Sequence, residues 1–203
     1  RRAVQIFSFR DDDSTDVRCN YDHHDVKILS VEDSGDVDFL VYGYMNRGIH
    51  EGTVGIAVYH YDSLANTNEE QVFIPSSQSY EVMKSELGQL MYVTESGAFY
   101  IMVDGNVYGI DLNSLDTKVL VEGLSDEAVA IAESNRFLGW VDPSAVRGSD
   151  TIHMIDFSTE KVTDVTGSAS DYVKPLGFMQ EDFVYGVAKS ADVVVDAAGN
   201  TLF

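Results

Sequence analysis

The sequence predicts an all-β protein, a β-propeller-like array of about four four-stranded antiparallel blades, and two recurrences predict it. Asp62 in Val58-Tyr59-His60-Tyr61-Asp62, Asp111 in Val107-Tyr108-Gly109-Ile110-Asp111 and Asp156 in Ile152-His153-Met154-Ile155-Asp156 each close an alternating run. Asp38-Phe39-Leu40-Val41-Tyr42-Gly43, Arg136-Phe137-Leu138-Gly139-Trp140-Val141 and Asp182-Phe183-Val184-Tyr185-Gly186-Val187 are variants of one strand. A repeat of roughly 40–50 residues with about four short strands per repeat marks blades of a β-propeller.

The chain reads as one domain over 1–203, with units at 26–75, 90–121, 128–165 and 173–203. Residues 1–25 supply an alternating strand and the acidic turn 11–16 of a preceding unit. In the first unit strands are expected at 26–31, 38–45, 53–61 and 71–75, because turn formers fill 33–36, 46–52 and 63–69. The second unit offers 90–94, 98–103, 106–112 and 117–121. Its Asp104-Gly105 pair supplies the positive φ that a two-residue hairpin needs. In the third, 128–132, 136–141, 151–157 and 161–165 alternate. Ser125 and the alanines offer a helix at 128–132, but Val129 and Ile131 at period two point to a strand. The fourth unit has 173–178, 182–188 and a hairpin over 193–203. Only 79–87 carries apolar residues at helical spacing behind a capping serine, Ser79. We expect these units to be part of a six- to eight-bladed propeller rather than a closed four-bladed ring, with self-association through exposed blade edges.

Composition excludes several classes. A hydrophobic share of 44% places the chain among folded globular proteins rather than disordered ones. The net charge of −21 with only 13 Lys and Arg, scattered along the chain, disfavours nucleic acid, which needs clustered cations to release phosphate counterions. Anionic lipid surfaces are disfavoured for the same reason. No apolar run is long enough to span a bilayer as a helix. Cys19 is the only cysteine, so neither an internal disulfide nor a thiolate metal cage can form.

Candidate chemistry is sparse. His23 and His24 lie between Asp22 and Asp25, but adjacent strand residues point to opposite faces and do not share an ion. The run Asp11, Asp13, Thr15 has calcium-loop alternation, yet Asp16 stands where the loop glycine belongs. No metal and no cofactor is expected. Serine-hydrolase elbows, phosphate loops and zinc-protease motifs do not occur, so no catalytic residue is assigned. The carboxylate pairs Glu69-Glu70 and Asp126-Glu127 fall in expected loops and read as solvated charge. Trp140, Tyr42, Tyr92, Tyr100 and Tyr185 fall in strands and read as core aromatics. The chemically varied loops are those joining second and third strands. Arg47, His50 and Glu51 in one, and Asp142 and Arg147 in another, are the candidate ligand-binding residues. The two arginines occupy equivalent positions and are placed to meet an anionic group.

The strand endings Val107-Tyr108-Gly109-Ile110-Asp111, Tyr59-His60-Tyr61-Asp62 and His153-Met154-Ile155-Asp156, each followed by a turn and a Thr- or Val-rich strand, resemble TolB-like and YWTD-like β-propeller repeats. A Trp-Thr-Asp core is missing, and WD40 repeats fit less well because no Gly-His and Trp-Asp pair occurs. The resemblance implies an exported or surface-anchored bacterial protein, extracellular or lipid-anchored. It implies a non-enzymatic binding or scaffolding module for a protein partner or a small anionic or glycan ligand. The alternative is the propeller domain of an enzyme acting on glycans or peptides.

Overall fold

A computed structural model describes residues 3–8, 23–46, 48–86, 90–94, 96–145, 148–195 and 201–202. It is almost wholly β. Among the described residues, sixteen strands and one short α-helix, α1 (Tyr80–Glu86), are formed. Three sheets are four-stranded antiparallel meanders whose strands follow chain order. The first holds β1 (His24–Val31), β2 (Val37–Tyr44), β3 (Val54–Asp62) and β4 (Thr67–Pro75). The second holds β5 (Met91–Val93), β6 (Ala98–Val103), β7 (Asn106–Asp111) and β8 (Thr117–Val121), and the third β9 (Val129–Ile131), β10 (Phe137–Trp140), β11 (Thr151–Asp156) and β12 (Lys161–Thr166). The last strands pair two by two: β13 (Asp171–Met179) with β14 (Asp182–Lys189), and β15 (Val194–Val195) with β16 (Thr201–Leu202). Successive four-stranded meanders of this kind are the β-propeller-like class.

The chain divides into two compact units, 1–88 with 111–116 and 89–110 with 117–203. In the first, consecutive residues Phe39, Leu40 and Val41 of β2 are at most 2% exposed, and Ile56, Ala57 and Val58 of β3 are fully buried. Neighbouring strand residues point to opposite faces, so both faces of these central strands are covered. Phe39 stacks on Tyr59 with ring centroids 5.4 Å apart, and Phe7 closes on Phe39 at 5.3 Å. In the second unit Leu90, Tyr100, Val107, Leu138, Trp140, Ile155 and Phe157 form one core. Each such buried side chain contributes roughly 1.5–3 kcal/mol. Tyr185, by contrast, is 42% exposed and is not a core residue.

The recurring aspartates have a structural explanation. Asp62 Oδ1 accepts the N–H groups of Leu64 and Ala65, both at 2.8 Å. Asp111 Oδ1 accepts those of Asn113 at 2.8 Å and Ser114 at 3.1 Å, and Asp156 Oδ1 accepts the Ser158 N–H at 2.9 Å. Four residues after each aspartate the chain enters the left-handed region, at Asn66 (φ 54°), Leu115 (φ 64°) and Glu160 (φ 54°). The aspartate therefore builds the same turn three times, side chain holding backbone, before the outer strand departs.

Local readings at the other turns resolve in physical terms. Asp104 (φ 51°) and Gly105 (φ 73°) both adopt positive φ between β6 and β7, as the two-residue hairpin requires. Asp126–Ala128 makes one 3₁₀ turn, and Val129 then enters β9 with extended dihedrals, so period two prevails over the alanines. Ser79 starts α1, with the Val82 N–H 3.4 Å from its Oγ. His23 is exposed and His24 buried, the divergence that strand alternation demands. Asp11, Asp13, Asp16, Cys19 and Asp22 lie outside the described residues.

Candidate ligand-binding site

The loop joining β2 to β3 closes on itself. Met45 N–H donates to Thr53 O at 2.8 Å, Gly52 N–H to Met45 O at 2.8 Å, and Thr53 Oγ1 to His50 O at 2.5 Å. Pinned at both ends, this loop presents His50, whose ring lies flat on Phe73 of β4 with centroids 3.6 Å apart and planes 10° from parallel. His50 Nε2 sits 2.7 Å from Glu70 Oε1, and the Tyr59 hydroxyl donates to Glu70 Oε2 at 2.8 Å. A carboxylate only accepts, so Nε2 carries the proton in this hydrogen bond. The side chains of His50 and Glu70 are 24% and 25% exposed.

A register shift produces this arrangement. Val58 pairs with Val72, but Tyr59 pairs with Glu70, so Gln71 bulges out of the ladder. The bulge puts Glu70 opposite Tyr59 on one face of the sheet, which regular pairing would have given to Gln71. Glu69 and Glu70 thus stand in β4, not in the loop that the sequence reading assigned to them. That reading is corrected: Glu70 is held by two donors and is not free solvated charge. Asp126 and Glu127 are exposed in their 3₁₀ turn.

His50, Tyr59 and Glu70 line a cavity of about 520 Å³ together with Phe7, Tyr44, Met45, Asn46, Ile49 and Asn68. Its volume lies in the range of small-molecule sites. The Asn46 side-chain nitrogen is buried and makes no hydrogen bond among the described residues. The Asn68 amide nitrogen donates to the Ile6 carbonyl, which ties residues 5–8 to the rim. No Lys or Arg lines the cavity among the described residues.

A second cavity, about 230 Å³, lies in the other unit behind the corresponding loop between β10 and β11, lined by Asp142, Pro143, Ala145, Gly148, Ser149 and Lys174 among others. Asp142 is engaged within its own turn. Its Oδ1 accepts the Ser144 hydroxyl at 2.6 Å and the Ser144 N–H at 2.8 Å, bonds that hold its carboxyl below the usual range.

Of the residues chosen from sequence, His50 therefore sits in the larger cavity, Asp142 in the smaller, and Glu51 is exposed beside His50. Arg47 and Arg147 lie outside the described residues. Sequence reasoning missed Tyr59, Glu70 and Asn68, which come from strands, and passed over Asn46 within the loop. No group of three or more metal-ligating side chains occurs among the described residues. None of the described helices is long and apolar enough to cross a membrane.

The fold is thus β-propeller-like, with a polar and aromatic cavity behind a second-to-third strand loop. No family model matches the chain, and no curated protein matches its sequence. Among solved structures it is similar to the dipeptidyl peptidase 4 of Porphyromonas gingivalis, with TM-score 0.38 and 13% identity over 85% of this chain. It is similar to the tricorn protease at TM-score 0.35 and 17% identity over 71% of this chain, and to an oligogalacturonate lyase of Vibrio parahaemolyticus at TM-score 0.32 and 9% identity over 85%. It spans 30%, 13% and 55% of those three chains respectively.

Proposed function

We propose that this chain is a non-enzymatic binding module that takes a neutral carbohydrate in the cavity lined by Asn46, His50, Tyr59 and Glu70. One observation carries the reading: the buried Asn46 amide donor has no partner among the described residues, in a wall where Glu70 already satisfies His50 and Tyr59. A buried donor without a partner costs about 1–3 kcal/mol, which an acceptor oxygen from a ligand recovers. The Glu70 carboxylate, with lone pairs beyond those that His50 and Tyr59 use, supplies an acceptor in the same cavity. A donor and an acceptor side by side suit a hydroxyl group, which both gives and receives a hydrogen bond. Tyr44, Tyr59 and Phe7 add the apolar surface on which a sugar ring packs. The Glu70 carboxylate in the wall, on a chain of net charge −21, favours a neutral over an anionic sugar.

An exported or cell-surface setting belongs to this proposal. The likeness of the Asp62, Asp111 and Asp156 strand endings to TolB-like and YWTD-like repeats supports it. The test is titration calorimetry against a panel of neutral mono- and disaccharides, with Asn46→Ala and His50→Ala beside the wild type. Each substitution weakens binding about tenfold, the worth of one good hydrogen bond. A panel without a binder, or a binder indifferent to both substitutions, overturns the reading.

A further inference from the structure

The β9–β10 ladder runs on past its last rung into the smaller cavity. Leu138 pairs with Ile131, Gly139 with Ala130 and Trp140 with Val129. The next step keeps this register, because the Val141 N–H donates to the Ala128 carbonyl at 3.1 Å. One step further the same register sets Glu127 opposite Asp142, and both residues line the cavity of about 230 Å³. Like charges at opposed ladder positions repel, and a cation between the two carboxylates relieves that repulsion.

The acceptors at this place are uncommitted. Asp142 uses Oδ1 for the Ser144 hydroxyl and N–H, and its Oδ2 makes no hydrogen bond among the described residues. Glu127 makes no hydrogen bond or ion pair among the described residues, and the Ser125 hydroxyl at the start of the same turn caps nothing. Much of the remaining wall is apolar. Val173 of β13 is 1% exposed and is tied to the β10–β11 loop by its N–H, which donates to the Ser149 carbonyl at 2.7 Å. Val141, Pro143 and Ala145 continue that wall. The Ser149 hydroxyl is spent on Thr151, donating to its carbonyl at 2.7 Å and accepting its N–H at 3.1 Å. Lys174 of β13 also lines the cavity, but it is engaged in an interaction of its own, and two carboxylates stand against its one charge.

We propose that this cavity is a second binding site, separate from the one at His50, and that it takes a small aliphatic primary amine. The ammonium brings three N–H donors and a full charge to two carboxylates that only accept, which makes its hydrogen bonds charge-assisted. The alkyl chain lies on the wall of Val141, Pro143, Ala145 and Val173. A hydrated metal ion gains nothing from that wall, whereas the amine uses both halves of the site. The net charge of −21 draws cations toward the chain in general, and the opposed carboxylates hold this one in place.

The test is titration of n-butylamine into the ¹⁵N-labelled chain at pH ~7, where the amine is protonated, in about 0.15 M NaCl to screen general attraction. Butan-1-ol and calcium chloride are titrated in parallel. The amine moves the backbone amide signals of Ala128, Val141 and Val173 to saturation. Butan-1-ol, which keeps the alkyl chain and lacks the charge, binds about tenfold more weakly or less. Glu127→Gln weakens the amine about tenfold as well. Asp126→Asn removes an equally exposed carboxylate of the same turn that does not line the cavity, and it leaves the affinity within about twofold. No shift at those three amides, equal binding of butan-1-ol, equal losses in the two variants, or calcium moving the same amides at lower concentration than the amine overturns the proposal.

Discussion

Arg136 grips Asp156 with two parallel hydrogen bonds, Nε to Oδ1 at 2.9 Å and Nη2 to Oδ2 at 2.8 Å. Oδ1 of the same carboxylate also holds the turn, accepting the Ser158 hydroxyl at 2.6 Å and the Ser158 N–H at 2.9 Å. Arg136 first, and then Ser158, hold the carboxyl far below its ordinary 3.8, against an opposing effect of partial burial.

A depressed carboxyl stabilises the fold fully above its unfolded value and loses that contribution as the pH falls toward the folded one. Urea unfolding of the wild type followed from pH ~5 to ~2 therefore includes a falling component that Asp156→Asn lacks. Arg136→Lys keeps the charge but gives up the fork geometry, and it lowers the acid-side stability as well. Identical pH slopes for wild type and Asp156→Asn contradict this account of the pair.

The opposite sign holds at His60. Its Nδ1 lies 2.8 Å from Asp38 Oδ1, while Ser30 Oγ donates to Oδ2 of the same carboxylate at 2.7 Å. The Asp38 hydrogen bond, outweighing partial burial, raises the imidazole above its ordinary 6.5. Its stabilisation is complete below the unfolded value and is lost as the pH rises through the folded one. NMR titration of His60 gives a midpoint above 6.5 that drops in Asp38→Asn, and the wild-type loss of stability as the pH rises from 6.5 through that midpoint disappears with it. A His60 midpoint unmoved by Asp38→Asn rules the pairing out.

Leu115 occupies the left-handed position of the Asp111 turn at φ 64° with its side chain 41% exposed. Asn66 in the equivalent position receives the Tyr61 hydroxyl at 3.0 Å, and Glu160 receives Lys118 Nζ at 3.1 Å. Leucine gains nothing comparable there and bears the steric cost of the conformation. Leu115→Gly is expected to stabilise by about 0.5–1 kcal/mol, the relief of the left-handed strain less the added freedom of the unfolded chain. Chemical denaturation measures it, and a loss of stability shows that the side chain has a packing role.

The strands were legible from their recurring motifs and the turn formers between them, although β2, β3 and β6 are buried on both faces, and α1 because Val82 and Met83 follow Ser79 at helical spacing. The recurrence of Asp62, Asp111 and Asp156 was equally visible, but its cause was not: the side chain and the left-handed residue four positions later make one turn. The site was half legible. His50 stood out in a loop of varied chemistry, whereas Glu70 reaches it only through a bulge at Gln71, and alternation carries no mark of a bulge. Tyr59 stood in the sequence only as a member of an alternating run, and its hydroxyl bond to Glu70 depends on the same bulge. Tyr185 matched core tyrosines in pattern and is exposed because β14 has one described neighbour where β2 has two.

The binding reading stands on the Asn46 amide, and that group can be observed directly. In ¹⁵N-correlated NMR spectra, assigned by comparison with Asn46→Ala, the Asn46 side-chain NH₂ pair is followed while a neutral saccharide that binds is added. The account predicts a saturating downfield shift of one of its two protons, with the same midpoint as the calorimetric titration, as the donor acquires its acceptor. An Asn46 pair that stays fixed while resonances elsewhere in the chain move to saturation contradicts it.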